Sequence, residues 1–114
     1  YFSMHQYPAY PGTGALRDMG QGEGLGTTLN VPLPAGTGDE GHLRVLREVL
    51  VPAALEYRPQ LILVSAGYDS HWSNTAYLNS IRMRVTVSGF HAWVTLLREL
   101  ADEVCDGRLA MALE

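Results

Sequence analysis

Leu61-Ile62-Leu63-Val64-Ser65-Ala66-Gly67-Tyr68-Asp69-Ser70-His71 is the stretch whose reading decides the fold. Four aliphatic residues run without a polar break into a small-residue turn, and the turn delivers an Asp and a His. A short unbroken apolar run predicts a strand buried on both faces, as inside a parallel sheet. In open α/β sheets, ligands and chemistry collect just beyond the carboxyl ends of such strands, where Asp69 and His71 stand. Both side chains take divalent metals. The plainer role for Asp69 is to cap the turn that follows.

Upstream of this strand, Asp39 to Tyr57 predicts a helix with Asp39 as N-cap and an apolar face of Leu43, Leu46, Leu50, Ala53, Ala54 and Tyr57. Pro52 falls inside the pattern and predicts a kink or interruption there. Arg58-Pro59 ends the helix, and helix followed by apolar strand is the rhythm of a parallel sheet. Downstream, residues 70 to 86 read as irregular. Val87 to Val104 then predicts a second helix, with Phe90, Trp93, Val94, Leu97, Leu100, Ala101 and Val104 in one stripe and Gly107 just past its end. Residues 108 to 114 predict a last strand. At the other end, residues 1 to 5 and 27 to 33 predict strands separated by a glycine-rich loop over 6 to 26. Aromatic residues in that loop, Tyr7 and Tyr10, favour an ordered loop over a linker. The alternation predicts an α/β fold, mainly parallel sheet with flanking helices.

The chain has 114 residues and a formal net charge of -4. That length allows one domain at most, and the acidic balance without a basic run argues against a nucleic-acid surface. No apolar run is long enough to cross a bilayer, so no membrane role is expected. The single cysteine, Cys105, lies on the apolar side of the second helix and reads as a buried small hydrophobe. A lone thiol fits a reducing compartment, and the expected location is cytoplasmic. The chain opens and closes inside apparent strands, which reads as a segment cut from a longer protein. The spacing Gly20-x-Gly22-x-Gly24-x-Gly26 does not match the dinucleotide fingerprint, and no P-loop lysine follows.

One Asp, or one Asp-x-His pair, does not make a metal site, because a catalytic zinc takes three protein ligands and keeps a fourth position open. Asp69 and His71 share a face only if extended geometry persists between them. His42 lies in the first turn of a helix, and His91 starts the second helix beside its stripe; both are poor candidates by position. His5 ends the first strand facing the loop, which makes it a stronger one, although a lone His there is more often structural.

Ser65-Ala66-Gly67-Tyr68-Asp69-Ser70-His71 resembles the zinc-binding motif of the histone deacetylase family, in the bacterial and class II-like branch that includes acetoin-utilisation proteins and acetylpolyamine amidohydrolases. Two further stretches match in order. Ser3-Met4-His5-Gln6-Tyr7-Pro8-Ala9-Tyr10-Pro11-Gly12-Thr13-Gly14 resembles the family's Ser-Leu-His segment and its aromatic-Pro-Gly-Thr-Gly loop. Asn30-Val31-Pro32-Leu33-Pro34 with Gly36-Thr37-Gly38-Asp39 resembles its next strand and turn. The resemblance spans essentially the whole chain. It implies an arginase/deacetylase-type fold and zinc-dependent hydrolysis of acetyl amides on lysine, a polyamine or a similar amine.

By the same resemblance, Asp69 would be one of three zinc ligands, with Gly67 and Tyr68 beside the metal and Tyr10 on the aromatic wall of the substrate channel. The Ser3 side chain and Met4 carbonyl would serve a monovalent-cation site, such as potassium, and the Thr27 carbonyl a second one. His71 is not a zinc ligand in the family. The chain departs from the pattern in holding no catalytic residue. The family's Asp-x-His ligands and paired histidines lie upstream of Tyr1, and its Gly-Gly-Tyr lies downstream of Glu114. Asn74-Thr75 stands where an Asp-Pro is usual. The expectation is therefore a C-terminal central segment of a deacetylase-like catalytic domain, inactive in isolation. The competing expectation is a stand-alone α/β module that forms homo-oligomers through open sheet edges. A sugar- or nucleotide-binding Rossmann-like domain is disfavoured by the missing phosphate motif.

Overall fold

The computed structural model describes residues 1–74 and 81–114. Strand β1 (Phe2–Gln6) pairs in parallel with β2 (Leu29–Leu33), and β3 (Ile62–Ala66) pairs in parallel with β4 (Leu109–Leu113). The order is the α/β alternation read from the sequence, and the sheet takes the form of two parallel pairs. Register sets Ser3 opposite Asn30 and His5 opposite Pro32 in the first pair, and Val64 opposite Met111 in the second.

The first helical stretch runs as α1 (Asp39–Val45), a π-helical turn (Leu46–Leu50) and α2 (Val51–Tyr57). Pro52 explains the wide turn. It has no N–H to offer the carbonyl four residues back, and the Val51 N–H instead reaches Leu46 O, five residues back. The stretch ends at Arg58, which adopts the left-handed conformation (φ 54°, ψ 61°) immediately before Pro59. Helix α3 (Val87–Cys105) closes on Asp106 (φ 51°) and Gly107 (φ 74°), and the Gly107 N–H returns to Ala101 O at 3.0 Å.

Packing of α1 and α2 on α3, and of α3 on β4, makes a small core that includes Leu46, Ala54, Leu100, Ala101 and Cys105. The buried Cys105 agrees with its reading as a small hydrophobe. Three expectations need correction. First, β3 is not buried on both faces: its residues alternate between half-buried and exposed, and Leu63 is 73% exposed. Ile62 and Val64 are half-buried on one face while Leu63 and Ser65 are exposed on the other, and among the described residues β3 pairs with β4 alone. Second, Tyr57 does not join the apolar face of α2, being 80% exposed in the last turn.

Third, Asp39 is not the N-cap of α1; Gly38 is, and Asp39 is used at the other helix. Its carboxylate accepts from the Thr86 N–H (2.7 Å) and the Thr86 hydroxyl (2.6 Å), while Thr86 Oγ1 caps α3 by accepting from the Gly89 N–H at 3.1 Å. The two helix starts are thereby tied together.

The described part of the segment read as irregular is a stitch between the two halves. Gly36 N–H donates to Arg82 O (2.7 Å) and Arg84 N–H to Thr37 O (2.9 Å), after β2. Trp72 N–H donates to Val85 O (2.9 Å) and Val85 N–H to Ser70 O (3.1 Å), after β3. Val85 is fully buried. Thr75, part of the Asn74-Thr75 departure, lies outside the described residues.

Candidate functional site

Strand β3 ends at the buried Ala66, and the chain turns at once. The His71 N–H donates to Tyr68 O at 3.1 Å, so extended geometry does not persist and Asp69 and His71 diverge. His71 Nδ1 pairs with Ser73 Oγ at 2.7 Å, and its ring stacks on Phe90 at a centroid distance of 6.2 Å. Tyr68 meets the same Phe90 edge to face at 4.9 Å. The Asn74 side chain donates to the Asp69 carbonyl at 2.6 Å. Phe90 packs edge to face on Trp93, which stacks on His42 at 4.8 Å, so an aromatic file runs from α1 to the turn. The turn is thus held through its neighbours, while the Asp69 carboxylate itself is exposed and, among the described residues, accepts no hydrogen bond. A Cβ built on Gly67 would meet the Asp69 Oδ1 only at an ordinary contact distance of 3.7 Å.

The other candidates gather around β1. His5 is half-buried, with Nε2 2.9 Å from Gly14 O and Nδ1 2.9 Å from Ser3 Oγ. A carbonyl only accepts, so Nε2 carries the proton toward Gly14, and in the neutral ring the Ser3 hydroxyl donates to Nδ1. Met4 lies mid-strand opposite Val31. The Thr27 carbonyl accepts from the Tyr1 nitrogen at 2.7 Å, and its hydroxyl turns back to Gly24 O. Tyr10 sits on a turn closed by Gly12 N–H to Ala9 O (2.7 Å) and is 83% exposed. Among the described residues no hydrogen bond or ring contact joins Tyr10 to the turn at Asp69.

Among the described residues, no three His, Cys, Asp or Glu side chains come close enough to hold a metal ion. Asp69 offers the right chemistry for one arm of a zinc site, but the donors of this chain do not by themselves fit the ion. His42 is not a ligand candidate either. It is 2% exposed, its Nδ1–H donates to Gly38 O at 2.8 Å, and burial pushes its pKa below the ordinary value. His91 is exposed on α3, and its carbonyl accepts from the Thr95 hydroxyl. The polar residue that sequence reasoning passed over is Asn30, 5% exposed on β2, whose side chain donates to Asp18 O of the long loop at 2.8 Å. An Asn inside an otherwise apolar strand was the available signal.

Residues 1–114 match the histone deacetylase domain model. A probable deacetylase of Archaeoglobus fulgidus is 40% identical over all 114 residues, which cover 31% of its own length. A histone deacetylase-like amidohydrolase of Pseudomonas aeruginosa is 33% identical over 98% of this chain and 29% of its own. The crystal structure of the HDA15 HD domain superposes on the whole chain with a TM-score of 0.87 at 29% identity, the match covering 31% of that structure. The chain belongs to the histone deacetylase family, and its fold is the α/β deacetylase fold. It spans about a third of the length of the curated relatives it matches.

Proposed function

We propose that this chain is a segment of a zinc-dependent amidohydrolase that removes acetyl or a similar short acyl group from lysine, a polyamine or a related amine. The observation that carries the reading is the Asp69 carboxylate, free of hydrogen-bond donors among the described residues, just past the carboxyl end of a parallel strand. Asp69 supplies one of three zinc ligands in the full-length enzyme. A zinc ion held there would supply Lewis acidity toward the amide carbonyl. Gly67 and Tyr68 flank the ligand, and Phe90 braces Tyr68. Tyr10 forms one wall of the channel that takes the alkyl stem, whose charge acylation has removed. Ser3 and the Met4 carbonyl belong to a monovalent-cation site in the same reading.

Because no three candidate ligands meet among the described residues, the 114-residue chain alone is expected to show no turnover. The test compares Asp69→Asn with the parent in the full-length enzyme, on a fluorogenic acetyl-lysine peptide and by zinc content. Loss of both activity and bound zinc is expected. An Asp69→Asn enzyme that keeps its zinc and its rate, or robust hydroxamate-sensitive turnover by the chain alone, overturns the reading. The second reading, a self-associating α/β module, draws on the exposed Leu61 and Leu63.

A further inference from the structure

We propose that His5 is the positioning residue of the Tyr10 loop, acting through the Gly14 carbonyl; the inference rests on the reading of Tyr10 as channel wall. Within this chain Tyr10 is 83% exposed. Its turn is fixed by anchors on either side. Before it, the Tyr7 N–H donates to Leu33 O at 2.9 Å. After it, His5 Nε2–H holds Gly14 O at 2.9 Å.

Two independent features show that the His5–Gly14 contact is built. Gly14 has φ +84°, a conformation that side chains rarely adopt, and a Cβ there would lie 2.5 Å from Nε2 and 2.7 Å from Cε1 of His5. The ring therefore packs directly on the glycine backbone. On its other side, Nδ1 is held by Ser3 Oγ, which fixes the ring's orientation. Further along the loop, Asn30 on β2 catches Asp18 O in the same way. Side chains of two paired strands thus reach out and hold carbonyls of a loop that contributes little to the core. Because the bond lies outside the core, its loss frees the loop and spares the fold.

In the full-length enzyme, His5→Ala should raise KM for an acetyl-lysine peptide about tenfold, the worth of one hydrogen bond to an ordered loop, with kcat and zinc content little changed. His5→Gln, whose amide N–H reaches to about the same place, should recover most of the loss. Tyr10→Ala should raise KM in the same sense. An unchanged KM in His5→Ala, no rescue by Gln, or a loss confined to kcat and zinc overturns the inference. If His5→Ala does not fold, Gly14→Ala decides by the same KM readout, since its methyl displaces the ring. Asp69→Asn runs alongside: if it remains active the zinc reading has failed, whereas its inactivity together with an unaltered His5→Ala KM fails the positioning role alone.

Discussion

His42 shows how one side chain carries both packing and a pH response. It is buried in α1 against Trp93, and loss of water around the ring outweighs the Gly38 hydrogen bond and the nearby Asp39 charge, so the pKa falls below 6.5. The unfolded chain then binds the proton at a higher pH than the folded one. Stability is complete above about pH 6.5 and is lost as the pH falls from there toward the folded-state value. Urea midpoints measured on either side of that pH should show this slope, and His42→Asn should flatten it. Position in a helix's first turn did not reveal this role, because burial depends on what α3 brings across. Asp69 was the opposite case. Its place after an apolar run was legible from spacing, yet its separation from His71 depended on a turn only the folded chain shows.

At the scale of elements, the junction of α1 and α3 tests whether propensity or tertiary contact wins. Gly89 lies in the first turn of α3, where alanine is favoured by about 1 kcal/mol on helix propensity alone. A Cβ at Gly89 would nonetheless overlap the Asp39 carboxylate that holds Thr86. Gly89→Ala should therefore lower the Tm, and a thermal melt that rises would show the junction gives way freely. Pro52 was readable as an interruption because the reason is local: a missing N–H. Asp39 was misread as a cap because its partner, Thr86, lies 47 residues away.

Across the whole molecule, the β3–β4 pair carries exposed apolar side chains, Leu63, Met111 and Leu113, and among the described residues no third strand joins it. Parallel strands ordinarily have both faces covered. The chain alone should therefore associate with rising concentration in sedimentation velocity, and Leu63→Lys, at an exposed position, should suppress it. A clean monomer at all concentrations would count against this. Among the described residues no helix is long and apolar enough to cross a membrane.

By itself the sequence determined the alternation of strands and helices, the interruption at Pro52, the strand end carrying Asp69 and the family. Each of these is written in neighbouring residues, through side-chain periodicity, a missing donor or a contiguous motif. Only the tertiary structure decided which polar groups meet: Asp39 with Thr86, His42 with Trp93, His5 with Gly14 and Asn30 with Asp18. The last two pairs are close in sequence, yet they form only because β1 and β2 lie side by side and the loop folds back over them. Hydrogen bonds need atoms within about 3 Å in a set direction. That condition comes from packing, which no local pattern encodes.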